Sequence, residues 1–489
     1  MQKRHRRRRL ARKTAMRKLH RRRRLARKTA MQKRHLRLRL ARKTVHRQLR
    51  DLQISWQHLR KCSNANNNTN QRQLVFVSVW LKLCEVEVKR SGRRENRQET
   101  RSEQCASGFY LVVIDLSDMF LTASNLVHYL IARKLICSSD VVDGSYSVVE
   151  AGRHNRNFKV FCGRKAGMFI KQIPVVDDLS KQAIRKEALG YQLARDFPRW
   201  NQWMLTLHDY DRNRHCLSLE LLLDVQNLRE FYYTQDRFPL HVSSLVAQSL
   251  ADLHSVRIEE IEGYNHQSDF SKSTPWIFTY HDKPRFNPSS LSGGAVKLGE
   301  YIRQRPEFIA LLDAVAARWQ VQSLVHGDVK WDNFLLNWEL HAPDSDHESA
   351  TYRLKLIDWE LLDIGDPAWD VAGILQAYLS HWIMRRYRDK SQSKEHLLEL
   401  TYEKLTSAFP SIRCFWDTYV EHRSLVSSNL NEFLLHCVEL SAVRLLQTTF
   451  ESLFESEELT AHSLAMLSLS EQILTHPQQS AHLLFGLSV

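Results

Sequence analysis

Residues 1–50 contain 24 Lys and Arg and no acidic residue. Such a segment repels itself and has too little apolar surface to bury, so in isolation it is expected to be disordered. Whatever folds must be built from the remaining chain. Residues 1–15, 16–30 and 31–45 are near-copies, MQKRHRRRRLARKTA, MRKLHRRRRLARKTA and MQKRHLRLRLARKTV. The first two differ at 2 positions, and the first and third at 3. Near-identity at a fixed period points to recent tandem duplication and not to a solenoid, whose units vary around a preserved core. Two readings follow. In one, the tail makes non-specific anion or nucleic-acid contact through its charge. In the other, it is a translated repetitive element upstream of the natural start. Residues 46–118, with CSNANNNTNQRQ and VKRSGRRENRQETRSEQ, carry no sustained periodicity and favour the second. A helical pattern begins only at Met119, which is the expected natural start.

The rest of the 489-residue chain has a different character. Its 47 basic residues face 54 acidic ones, so the formal charge of +17 belongs to the tail alone. The eight cysteines are scattered without ligand spacing, which reads as a reduced intracellular protein. No apolar run approaches the roughly 20 residues of a membrane helix. A cytoplasmic protein with no membrane span is expected.

From Met119 the pattern gives a helix over about 123–135, then antiparallel strands around Val148–Val149, Phe158–Cys162 and Met168–Ile173. Period-two alternation puts Phe169, Lys171 and Ile173 on one face, and a Lys between apolar neighbours needs a partner. The next segment, DDLSKQAIRKEALGYQLAR, places Ile184, Glu187, Ala188 and Tyr191 on one helical face. Strand Lys171 and helix Glu187, both facing inward, are read as a pair. A strand at 217–223 follows, then a helix at 243–255, an irregular stretch over 256–295, further helices, and nearly continuous helix from 371 to 486.

The stretch LVHGDVKWDNFLLN, Leu324 to Asn337, interrupts an apolar run with polar residues of a particular kind. Asp328 and Asn333 are expected in a loop between helix and strand, and a hairpin returns the chain to Asp358. Two carboxylates and an amide then converge, a hard oxygen set suited to Mg2+. With Lys171 oriented by Glu187, the parts for phosphoryl transfer from ATP are present.

His326-Gly327-Asp328 with Asn333, then Ile357-Asp358-Trp359-Glu360, then GDPAWDVAG at 365–373, resembles the signature of the aminoglycoside phosphotransferase/choline kinase-like family, over about residues 145–489. The resemblance implies an α+β, protein-kinase-like bilobal fold: a small antiparallel β N-lobe with one key helix (119–223) and a larger, mainly helical C-lobe (224–489). It implies an ATP- and Mg2+-dependent phosphotransferase acting on a hydroxyl of a small molecule. Asp328 is then the catalytic base, Asn333 and Asp358 ligate Mg2+, and Lys171 with Glu187 binds phosphate. His326, Asp366 and Asp370 are structural, bracing the loop or capping a helix. Two departures stand out. Lys330 occupies a position where many members carry His, and is expected to contact the γ-phosphate. The phosphate-covering turn, EAGRHNRNFKV, has one glycine, so Asn155 or Asn157 is expected to assist backbone amides there. The competing reading is a catalytically silent kinase-like binding or scaffold protein.

Overall fold

The computed structural model describes residues 120–489, apart from 153–154, 164, 236, 263–269, 283–290, 340–350 and 386–392. The expectations for the basic repeats and for residues 46–118 lie outside the described residues.

The chain enters through two short helices, α1 (Leu126–Ala132) and α2 (Ser138–Val142). The single helix expected over 123–135 is shorter because Lys134 turns left-handed, at φ 60°, and reverses the chain. Three strands follow, β1 (Tyr146–Glu150), β2 (Arg156–Cys162) and β3 (Lys165–Gln172), then the long helix α3 (Asp178–Ala194) and one turn, α4 (Pro198–Asn201). Strands β4 (Leu207–Asp211) and β5 (Cys216–Glu220) complete an antiparallel sheet of order β1-β2-β3-β5-β4. β4 was not expected. Its sequence, LHDYD, lies at the sheet edge with its middle half-exposed, so apolar alternation does not mark it.

Strand alternation divides this lobe into two faces. Phe158, Val160, Met168 and Ile170 pack under Leu126 and Leu130 of α1. The opposite face of β3 and β5 offers Ile173, Leu217 and Leu219 to the core that includes Ile184, Ala188 and Tyr191 of α3. Lys171 points to that second face, which is how an ammonium comes to lie in the interior.

A short strand β6 (Gln226–Asn227) leads into the second lobe through α5 (Leu228–Gln235), α6 (Leu240–His254), α7 (Ile258–Glu262), α8 (Gly293–Arg303) and α9 (Pro306–Ala316). Next comes β7 (Ser323–Val325), which pairs antiparallel with β10 (Asp363–Gly365). Between them lies the hairpin of β8 (Phe334–Glu339) and β9 (Thr351–Leu356), with Phe334 opposite Leu356. The loop carrying Asp328 therefore hangs between two strands, not between helix and strand. Three-residue strands are too short for alternation to show. The remainder is helical: α10 (Pro367–Met384), α11 (Lys394–Leu405), α12 (Phe409–Arg423), α13 (Leu430–Ser452), α14 (Ala461–Thr475) and α15 (Pro477–Phe485). Their apolar faces, with Leu375, Phe415, Leu445 and Leu469 fully buried, close one large core. This is the expected small antiparallel lobe with one internal helix, joined to a larger helical lobe.

Candidate active site

The N-lobe contributes a buried ion pair. Lys171 Nζ lies 2.6 Å from Glu187 Oε2 and 2.6 Å from Asp358 Oδ1, with Glu360 Oε2 at 3.9 Å. Burial alone would depress the Lys171 ammonium, but these carboxylates outweigh it and hold it well above the usual lysine range. Burial pushes Glu187 up to about 7, against the pull of Lys171. One ammonium thus serves three acids. Gly190 lets α3 come close enough for this, since a Cβ there would sit 3.2–3.3 Å from Leu362 and Trp359.

The loop after β7 is held from every side. Asp370 accepts from the backbone N–H of His326 at 2.6 Å and of Gly327 at 3.0 Å, and from His254 Nε2 at 3.2 Å. Asp370 is fully buried, which would raise its carboxyl; its bond from His254 and its backbone donors win and hold it below the usual range. His326 accepts from the Asp328 N–H at Nδ1 (3.2 Å), and its Nε2 meets the Ile357 carbonyl at 2.9 Å. Because a carbonyl only accepts, the bonds place the ring proton on Nε2, where it is engaged by the backbone. Gly327 sits at φ 81°, with the Leu361 carbonyl 2.5 Å from where a Cβ would be. Trp369 Nε1 donates to the Gly327 carbonyl at 2.9 Å. Asp366 caps α10 through Ala368 N–H at 3.0 Å and also accepts from Gln320 N–H and His436 Nε2.

Asp328 itself is 7% exposed. Lys330 Nζ donates to its Oδ2 at 2.6 Å, while Oδ1 is buried without a hydrogen-bond partner. Asn333 Nδ2 donates to the Asp328 carbonyl at 2.8 Å, and the Ile357 N–H returns to the Asn333 carbonyl. Asp358 adopts the left-handed conformation at φ 68°, uncommon for a side-chain-bearing residue and frequent at functional sites. Burial would raise its carboxyl, but Lys171 beside it lowers it below the usual range.

A cavity of about 630 Å3 opens onto Lys171, Glu187, Glu360 and Gly327, with Trp319 and Trp369 among its walls. Of the two candidate phosphate-turn residues, Asn155 lines this cavity, and Asn157 stands opposite Lys171 in the β2–β3 ladder. The rest of that turn, 153–154, is outside the described residues. The structure also brings in residues to which no role had been given: Glu360, Gln447 and the Lys186–Asp363 pair at 2.9 Å. Among the described residues no three His, Cys, Asp or Glu side chains form a metal cage, and no helix is long and apolar enough to cross a membrane.

Residues 223–392 match the phosphotransferase enzyme family. All three motifs, from His326 to Gly373, fall inside that stretch, so the resemblance to this family holds there. Among solved structures, similar chains include a choline kinase from Streptococcus pneumoniae (12% identity, 72% of this chain and 99% of that one, TM-score 0.36). A macrolide 2'-phosphotransferase from Brachybacterium faecium is 15% identical over 70% of this chain and 97% of its own, with TM-score 0.35. A glucosamine kinase in complex with glucosamine, ADP and inorganic phosphate is 12% identical over 74% and 87%, with TM-score 0.38. These likenesses are too remote to bear on the chemistry of the site. A search of curated proteins finds no match to the chain.

Proposed function

We propose that the protein transfers the γ-phosphate of ATP, in the presence of Mg2+, to a hydroxyl of a small molecule of the aminoglycoside, choline or amino-sugar kind. The observation that carries this reading is the buried Lys171 ammonium, 2.6 Å from both Glu187 and Asp358. Lys171, oriented by Glu187, binds the phosphates, assisted by Asn155 from the turn and Asn157 from β2. Asp328 takes the proton of the acceptor hydroxyl on Oδ1, the atom without a hydrogen bond. The acceptor oxygen bonds to the γ-phosphorus, the bond to the bridging oxygen breaks, and ADP departs with that electron pair.

The acidic surplus around Lys171 fits a divalent cation. Burial and the neighbouring Asp358 raise the Glu360 carboxyl, the mark of crowded negative charge. Asp358 and the Asn333 amide oxygen would hold Mg2+, and Asn333 keeps its amide nitrogen on the loop carbonyl. When bound, the ion neutralises charge on the transferring group. The cavity, with Glu360 and indole walls, suits a cationic ligand. Free cysteines at 137, 216, 414 and 437 suit a cytoplasmic setting.

The test is transfer from γ-labelled ATP to a panel of hydroxylated amines and sugars, with and without Mg2+. Asp328→Asn is expected to lower transfer by about 10²–10⁴-fold while ATP binding persists. Near-normal turnover in that variant would remove Asp328 from the role of base. MgATP binding with no transfer to any acceptor would favour the silent scaffold.

A further inference from the structure

Helix α13 turns Arg444, Gln447 and Glu451 toward the loop that carries Asp328, a spacing of three and four that keeps them on one face. Arg444 is 3% exposed. Its Nη2 donates to the Val329 carbonyl at 2.6 Å and its Nη1 to Gln447 Oε1 at 2.9 Å. The guanidinium carbon lies 4.9 Å from the ring centre of Trp369. Nη2 is also 3.7 Å from Asp328 Oδ1, the oxygen without a hydrogen bond.

A buried cation is a poor device for merely docking a helix, since removing it from water is unfavourable and a leucine packs as well. The same helix uses Leu440, Leu445 and Leu446 for that purpose, all fully buried. What Arg444 does that leucine cannot is grip a carbonyl. Trp369 holds the Gly327 carbonyl, in the peptide just before Asp328, and Arg444 holds the Val329 carbonyl, one peptide further on than the Asp328–Val329 link, so the backbone is gripped from the C-lobe on both sides of Asp328. The planar fork matters, because two of its N–H groups reach two acceptors at once.

We propose that Arg444 is a positioning residue for the reaction: it pins the backbone at Val329, next to Asp328, and so aims Oδ1 at the acceptor. This rests on the reading of Asp328 as the base. Gln447, bonded to Arg444, also lines the large cavity, so an occupant of that cavity reaches the same brace.

Arg444→Met and Arg444→Lys are to be compared in the natural and the Asp328→Asn backgrounds. Arg444→Met is expected to lower kcat by about 10- to 100-fold, the scale of a misplaced reacting group, with the KM for ATP within about twofold. Arg444→Lys, which still reaches a single carbonyl, recovers part of the loss. In the Asp328→Asn background, Arg444→Met is expected to lower transfer no further, because a residue acting through Asp328 has nothing left to act on. Equal losses in both backgrounds, or an unchanged kcat, would overturn the proposal. Hydrogen exchange supplies a reading independent of turnover. Arg444→Met, or Arg444→Lys if the Met variant does not fold, should speed exchange of the 326–331 amides relative to those of α10. Unchanged loop protection overturns the proposal as well. An inactive natural protein would defeat the functional reading, while exchange still decides the role of Arg444.

Discussion

Two buried carboxylates, Glu187 in the N-lobe and Asp370 in the C-lobe, are 2% and 0% exposed; burial raises both, yet their net shifts run in opposite directions. Glu187 has the Lys171 ammonium as its ion-pair partner, and burial pushes it up to about 7. Asp370 has two backbone N–H groups and a histidine, and is held below the usual carboxylate range. The difference lies in the donors. Backbone N–H groups are fixed by the fold and cannot turn elsewhere. The Lys171 ammonium is shared with Asp358 and Glu360, and in the proposed reaction it would turn toward a phosphate. The Asp370 site is built to stay as it is, and the Glu187 site to change.

The largest expected effect comes from breaking the fixed site. Asp370→Ala orphans three buried donors and should destabilise the fold by about 3–5 kcal/mol, the range for removing one partner of a buried charged pair. Urea unfolding measures this, and a loss below about 1 kcal/mol would erase the distinction between the two sites. The second effect is smaller and depends on pH. Glu187 titrates at about 7 in the fold, against 4.5 as its ordinary value, so between those values the folded state binds more protons than the unfolded one. Stability from this group is therefore present below pH 4.5 and lost as pH rises toward 7, by something on the order of 3 kcal/mol. Asp370 is shifted down, so its contribution is lost only at lower pH, as pH falls through its folded value. Glu187→Gln is expected to flatten the slope between pH 4.5 and 7. A natural protein with no slope in that window would count against the raised Glu187.

How much of this could be read from the chain follows the same division. Lys171 and Glu187 were legible because each breaks a local pattern, period two in a strand and 3.6 in a helix, and each break asks for a partner. Asp328, Asn333 and Asp358 were legible by spacing; Asp366 and Asp370 were singled out only through the family resemblance. Strands β7 and β10 were not, because three residues cannot display alternation. Arg444 was not, because its partner Val329 lies 115 positions away and α13 reads as an ordinary leucine-rich helix. Lys186 and Asp363, 177 positions apart, were hidden in the same way. Local pattern marks a residue that violates it; a contact made only by tertiary folding leaves no local mark.

The smallest of these effects concerns Lys330, where the sequence reading and the structure give different immediate partners. The sequence suggests contact with the γ-phosphate; the structure gives Lys330 Nζ bonded to Asp328 Oδ2 at 2.6 Å, with 29% of the side chain exposed. Burial would depress the ammonium, but Asp328 outweighs it and holds it above the usual lysine range. The two partners are compatible. If Asp328 is the base as proposed, an ammonium at one of its oxygens lies beside whatever the other oxygen activates, and it is exposed enough to turn toward a phosphoryl group. Stabilisation from such a cation grows as charge spreads over the equatorial oxygens, so it acts on the transition state more than on bound ATP. Lys330→Met is expected to lower kcat by about tenfold, or ~1.4 kcal/mol, with a smaller rise in the KM for ATP. A KM effect at unchanged kcat would make Lys330 a ground-state contact only. No effect on either would return it to the surface lysines and leave Lys171, the ammonium held between Glu187 and Asp358, as the proposed phosphate-binding lysine.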